Sequence, residues 1–451
     1  MSSVNILKKI TAWDRISASH LLSRALFGHS SEDLDFALSL TIDEYVDNYL
    51  LADLTEEPQS PGFWVNDSES YNNSVRSREL VYWWHNLMLT QSHSLREKMV
   101  LFWHNHFVSE LSVVQLPQRM YHQNRLFRQF AFGNFKELTK QVTVDPAMLI
   151  YLDNTKNRKE DPNENYAREL MELFTLGIGN YSEADIAEAA KALTGWQVDG
   201  LQSYLDPERF DDSTKTFMNQ TGNFDHLDII EIIFTKPEVA SFVCRKLYKE
   251  FIYFEPDESV VEQFATIFRD NDYELKPVLS ALFKSDYFYS QEIVGAKIKS
   301  PIEFIIPLLK NFNIAKPTYE DLRRIADDLG QTLFSPPNVA GWEGDKSWVN
   351  TNTLPARNTF SDRLISSNDS ELNILEFART FESSEDAVQF VNDVAEKFLS
   401  YSLSENRKQY LLDILLDGAE VYDWSTYNEN SEARLTSFFK SICRLSEYQL
   451  T

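Results

Sequence analysis

Only 13 of the 451 residues are glycine, under half the roughly 7% share of an average protein. Glycine supplies the left-handed backbone that tight turns and bulges require. A chain this short of it is poorly equipped to link many short strands. It is instead rich in Leu and Glu, which lose little freedom in a helix. The expected fold is therefore all-α, a large multi-helix domain.

The pattern along the chain agrees. "SRELVYWWHNLMLTQ" and "SLREKMVLFWHNHFV" carry apolar residues at helical spacing. Two or three helices are expected over 11–51, and more over 115–131, 134–151, 164–176 and 226–333. "TIDE" at 41–44 reads as a capping box, with Thr41 as N-cap and Glu44 three residues on. Polar loops fall at 52–74 and 153–163. Residues 197–225 break the helical period, predicting an irregular or β-hairpin excursion. Residues 333–350, "LFSPPNVAGWEGDKSWVN", form a Pro/Gly-punctuated loop with two tryptophans. The length allows one large or two modest domains. The expected division is a helical domain over 1–370, carrying the excursion and the Trp/Pro loop, and an acidic helical appendage over 371–451.

Charge and cysteines exclude several functions. The formal net charge is −26, and a polyanion repels nucleic-acid backbones and anionic membranes. Two cysteines, Cys244 and Cys443, cannot build a zinc knuckle or a disulfide framework. No window is apolar for long enough to span a membrane. The opening residues lack the apolar run of a secretory signal, so the cytoplasm is the expected location. There is no GxSxG, P-loop or GxGxxG.

Two stretches carry chemistry. In "LFWHNHFVSE" (101–110), His104, Asn105 and His106 stand inside an aromatic, core-like run. On a regular helix, positions i and i+2 point about 200° apart. One histidine is therefore expected to face a site while the other packs or caps. A hydrogen-bonded core role competes for both. In the helix from Glu164, Tyr166, Leu170, Leu173 and Phe174 share one side, while Glu164, Arg168, Glu169 and Glu172 share the other. Asn165 and Glu172 superimpose in projection. One amide and two carboxylates on a face suit a hard metal ion or a positioned water. The same charges also make i,i+4 pairs of an exposed helix, Glu164 to Arg168 and Arg168 to Glu172. Trp196, Trp342 and Trp348 lie in or beside loops, where they can stack on a ligand or close a core.

The runs "HLLSRALFG", "LFWHNHFV", "DPAMLIYLDN", "NENYARELMELFTLGIGNYSEADIAEAAKALTGW", "KSPIEF" and "LFSPPNVAGWEGDKSWVN" occur in this order. Together, over residues 15–365, they resemble the bacterial family of unknown function DUF1800. The resemblance implies a largely helical protein. It also implies an exported location for many members, and a partner encoded nearby that is similar to the alkaline-phosphatase and sulfatase superfamily. It carries family motifs onto His104, Asn105, His106, Asn163, Glu164, Asn165, Arg168, Glu169, Glu172 and Trp196.

The expected function is a ligand-processing enzyme, a metal-assisted hydrolase in its sharpest form. Glu169, Glu172 and Arg168 are its expected catalytic groups. Asn105, Asn163, Glu164, Asn165, Trp196 and Trp342 are expected to bind the ligand. His104, His106 and Glu169 are the expected donors to a divalent Zn, Mn or Fe ion. The alternative is a non-catalytic binding or assembly protein whose His, Glu and Arg residues form a structural hydrogen-bond network. A sugar-binding module using Trp196, Trp342 and Trp348 is a third reading.

Overall fold

The computed structural model describes residues 7–53, 55–314, 317–366 and 372–451. Among them are 22 α-helices and two small two-stranded sheets. The fold is all-α with a hairpin excursion, as the glycine count predicts. Helix starts are set locally: Ser30, Thr41, Ser182, Asp225 and Ser300 each close a capping box. Thr41 and Glu44 make theirs as read from "TIDE".

The excursion folds as two antiparallel hairpins. In the first, β1 (Trp196–Asp199) pairs with β2 (Gln202–Leu205). In the second, β3 (Lys215–Phe217) pairs with β4 (Gln220–Gly222). Met218 and Asn219 turn the second hairpin with φ of 47° and 66°, the primed turn whose twist matches the strands.

Two clusters of buried side chains organise the helices. The larger gathers residues from Ala18 to Trp348, with Trp84, Trp103 and Phe107 fully enclosed. The smaller runs from Phe304 to Tyr448. The helix Pro301–Asn311 serves both: Ile302 and Ile306 enter the first cluster, and Phe304, Ile305, Leu308 and Leu309 enter the second. The helices Ile374–Arg379, Ala387–Phe398, Glu405–Leu416 and Ser431–Arg444 all contribute to the smaller cluster. The expected boundary at residue 370 lies outside the described residues. Among the described residues no helix is long and apolar enough to cross a membrane.

Candidate functional site

The helix Arg96–His106 is central: every residue of it except Asn105 is buried. A helix enclosed on all sides must find partners for its polar groups inside the protein. Glu97 pairs with Arg128 and accepts from the Trp84 indole. Arg96 donates to the carbonyls of Arg128 and Ala52. Lys98 donates to Glu303 at 2.5 Å.

The His-Asn-His run divides three ways. The His104 ring sits among Trp84, Phe334 and Trp342, with centroids 5.4, 5.4 and 5.8 Å away. Among the described residues its Nε2 has no hydrogen-bond partner, and burial pushes its pKa down to about 3. Asn105 clasps the 333–350 loop. Its Oδ1 accepts from the Trp342 backbone N–H at 2.7 Å, and its Nδ2 donates to the Trp342 carbonyl at 3.4 Å. His106 is 3.0 Å from the Phe174 carbonyl through Nε2 and 3.0 Å from the Lys246 Nζ through Nδ1. A carbonyl only accepts, so the network assigns the proton to Nε2 and leaves Nδ1 as acceptor.

The close approach of Asn105 makes Gly341 irreplaceable. Gly341 has φ +83°, and an added Cβ would lie 2.2 Å from Asn105 Oδ1 and 2.7 Å from the Asn105 carbonyl. Gly341→Ala is expected to lower stability by about 2 kcal/mol or more, from the clash and the backbone strain together. Asn105→Ala should cost less, about 1 kcal/mol, because it removes the clasp without a clash. Urea midpoints of the two variants give the order. A harmless Gly341→Ala would mean the loop is not seated on Asn105.

Beside this clasp lies a cleft of about 320 Å³. Asn105, His106, Trp342 and Trp348 line it together with four lysines, Lys98, Lys246, Lys249 and Lys297. The helix Glu238–Phe251 brings Lys246 and Lys249. Lys246 donates to His106 Nδ1 and, at 2.9 Å, to the Leu173 carbonyl, and lies 4.9 Å from the Phe242 ring centroid. Among the described residues no carboxylate pairs with it. Burial, with the charge of Lys249 added, pushes its pKa down to about 7. Lys98 and Lys297 differ, because both pair with the buried Glu303, and Lys297 also with Glu250. Burial alone would raise the pKa of Glu303, but Lys297 and Lys98 outweigh it and hold the carboxyl well below its usual range. Four carboxylates also line the cleft, Glu250, Glu303 and, from the loop, Glu343 and Asp345.

The lysines and Glu303 were missed by the sequence reading. In "EVASFVCRKLYKEF" Lys246 looks like any cation on an amphipathic helix. Glu303 had a legible signal, since "KSPIEF" contains the capping-box spacing from Ser300 to Glu303.

The carboxylate helix is placed otherwise than expected. It is α-helical only over Asn165–Glu169 and continues as a π-helix over Leu170–Thr175. The wider turn shows in the Leu176 N–H bonded to the Met171 carbonyl and moves Glu172 off the line of Asn165. Arg168 makes a fork with Glu183 at 3.0 and 2.8 Å and reaches Glu164 at 3.3 Å, all at the surface. The expected Arg168–Glu172 pair is therefore replaced, and Glu172 accepts from the Tyr181 hydroxyl at 2.8 Å instead. Asn163 Oδ1 accepts from the Asn165 N–H, and Asn165 Nδ2 donates to the Leu152 carbonyl. Both amides stitch the loop into the helix. This segment does not line the cleft; the carbonyls of Leu173 and Phe174 bond to two residues that do, Lys246 and His106. Glu164, Arg168, Glu169 and Glu172 do not line it.

The expected metal donors are not brought together. Among the described residues no group of three or more His, Cys, Asp or Glu side chains is arranged to hold an ion. His104 and His106 point into different surroundings, as their i,i+2 spacing requires. Glu169 stands elsewhere, close enough to Tyr151 and Glu172 for its charge to act on both. Burial raises its pKa, and the charge of Glu172 adds to that. Trp196 is also remote: it packs edge-on against His226 at 4.9 Å and does not line the cleft.

A buried His-Asn-His helix, a seated Trp/Pro loop and a mostly helical frame define a family-scale architecture rather than a grafted motif. The family described as "Protein of unknown function (DUF1800)" matches residues 20–450, and the chain belongs to it. The match extends past residue 365, where the recognisable motifs stop. No curated protein and no solved structure matches.

Proposed function

We propose that the cleft between the His106 helix, the Lys246 helix and the Trp342 loop binds a small polar ligand, and that the protein is a ligand-processing enzyme. The observation that carries this reading is the Lys246–His106 pair. A lysine on a cleft wall, held by neutral acceptors alone, exchanges its proton near neutrality. In a chain of net charge −26, two cleft lysines with no ion pair to a carboxylate among the described residues, Lys246 and Lys249, suit an acidic group on the ligand. Glu343 and Asp345 suit hydrogen-bond donors at its other end, and Trp342 and Trp348 give its body apolar walls. Metal-assisted hydrolysis by His104, His106 and Glu169 has no assembled donor set behind it, so the reading rests on the lysines. A partner similar to the phosphatase and sulfatase superfamily stands on family resemblance, and an acid-binding cleft is compatible with one.

The test is thermal stabilisation by inorganic phosphate, sulfate and acetate, with glucose as a neutral control. Saturation at a hundred times the dissociation constant stabilises by about 2.7 kcal/mol. The shift should weaken as pH rises through about 7, where Lys246 loses its charge. It should vanish in Lys246→Met/Lys249→Met. Equal shifts in that variant would defeat the proposal.

The second reading, a structural network, is favoured by a different observation: Asn105, Glu97 and Lys98 spend their polar atoms on holding elements together. If it holds for the lysine too, Lys246→Met will melt as early as Asn105→Ala and no anion will shift the wild type.

A further inference from the structure

We propose that Lys246 is a nucleophile that forms an imine with an aldehyde or ketone bound in this cleft. The inference deepens the reading of the cleft as a ligand site and names its substrate class, carbonyl compounds bearing an acidic group.

The geometry of the amine carries the argument. Lys246 Nζ has two partners, His106 Nδ1 at 3.0 Å and the Leu173 carbonyl at 2.9 Å. Both can only accept. A neutral amine has two N–H bonds and one lone pair, so the two acceptors use both hydrogens. The lone pair is left for the remaining tetrahedral position, on the cleft that Lys246 lines. The other enclosed lysines of the cleft are held differently. Lys98 and Lys297 face Glu303, whose negative charge keeps an ammonium protonated. Among the described residues Lys246 has no such counter-charge, it rests against the Phe242 ring, and a second cation, Lys249, stands on the same helix. Desolvation beside another cation is what turns a lysine into a nucleophile.

The step balances without an outside reactant. The Nζ lone pair attacks the carbonyl carbon, and the C=O π pair moves to oxygen. One N–H proton passes by way of His106 Nδ1 to that oxygen. The second N–H proton and the hydroxyl then leave as water, and the C=N bond forms. Nothing is oxidised or reduced. Lys249, the other cleft lysine with no ion pair to a carboxylate among the described residues, is placed to hold an acidic group of the ligand, and Trp342 covers its body.

The experiment uses the full chain with glyoxylate as probe, reduced by borohydride near neutral pH, and peptide mass mapping of every lysine. A lysine of pKa about 7 holds roughly a thousandfold more neutral amine than an ordinary one near pH 10.4. Lys246 should therefore carry the adduct at least tenfold above any exposed lysine. Lys249→Met should reduce that selectivity, because it removes the neighbouring charge, and Lys246→Arg should abolish it. Adduct spread over surface lysines with Lys246 no richer than the rest would overturn the proposal. Stabilisation by phosphate or acetate without Lys246 labelling would overturn the imine while leaving the ligand site standing. Labelling of Lys246 without anion stabilisation would keep the nucleophile and remove the acidic-group reading.

Discussion

Acidification from neutrality to about pH 5 is expected to remove about 8 kcal/mol of stability, above the range where most exposed carboxylates titrate. Four buried histidines lead this, and His29, pushed by burial down to about 4, adds to it with the less enclosed His93, His122 and His226. His20, His85, His104 and His106 are 0, 1, 2 and 3% exposed. Burial pushes His104 down to about 3 and His85 to about 4. Burial takes His20 and His106 well below the usual value, with Arg24 and Lys246 adding to it. The folded-state values lie below the unfolded one of about 6.5, so the unfolded chain takes up protons first as pH falls. The stability from these neutral rings is complete above about 6.5 and is lost as pH drops towards the folded-state values. Each group contributes up to about 1.4 kcal/mol per pH unit, so four reach about 5 kcal/mol per unit. Over the roughly one and a half units from 6.5 to 5 that comes to about 8 kcal/mol, half or more of a typical total of 5–15 kcal/mol. Protonating carboxylates relieves the self-repulsion of a chain at −26, but most of that relief comes only near pH 4 and below. Urea midpoints measured in pH steps give the slope, and a flat midpoint down to about pH 5 would refute the account. His104→Phe, which suits the box of Trp84, Phe334 and Trp342, should remove up to about 1.4 kcal/mol per pH unit from the slope.

The histidines also show how far sequence reasoning reaches. The i,i+2 argument correctly parts His104 from His106, because it uses only helix geometry. It also finds the helices and the turn-rich excursion, since period, caps and glycine are local properties. The Trp342 loop and the His106 helix do share one cleft, although the loop lies 237 residues from Asn105. What stayed hidden is of two kinds. The π-helix over Leu170–Thr175 leaves no trace in a pattern read at 100° per residue, and it re-pairs Arg168 and Glu172. The Lys246 contact joins helices 140 residues apart. Lys246 looks like Lys249 in sequence, and only packing makes one half-buried and the other exposed. Charged residues near the family motifs drew attention to Glu164–Glu172. That face proved to be a surface of forks and pairs, while the enclosed charges stood on helices that read as ordinary.

Glu303→Ala is expected to be the most destabilising single change in the cleft wall, at about 3–5 kcal/mol. Glu303 is 4% exposed and accepts from Lys98 at 2.5 Å, from Lys297 at 2.8 Å and from the Ser300 N–H at 2.8 Å. Removing it deprives the helix Pro301–Asn311 of its capping box. It also leaves Lys98 enclosed with no carboxylate, while Lys297 keeps Glu250. An enclosed ammonium without a partner costs more than the pair returned, so the single variant should suffer most. Lys98→Met/Glu303→Leu replaces the pair by apolar side chains of similar bulk and should recover much of the loss. The pH dependence has a definite sign. The Glu303 carboxyl is held below its unfolded value of about 4.3, so its contribution is present above that value and lost as pH falls further. The wild-type and Glu303→Ala curves should thus run parallel from neutrality to about pH 5, where the Glu303 carboxyl stays ionised whether the chain is folded or unfolded, and converge below about pH 4. Chemical denaturation of the two proteins and the double variant across that range decides it. A Glu303→Ala protein as stable as wild type at neutral pH would mean that Lys98 sheds its proton instead. In that case borohydride trapping with glyoxylate would label Lys98 beside Lys246, and the distinction between the paired and unpaired lysines of the cleft would rest on Glu303 alone.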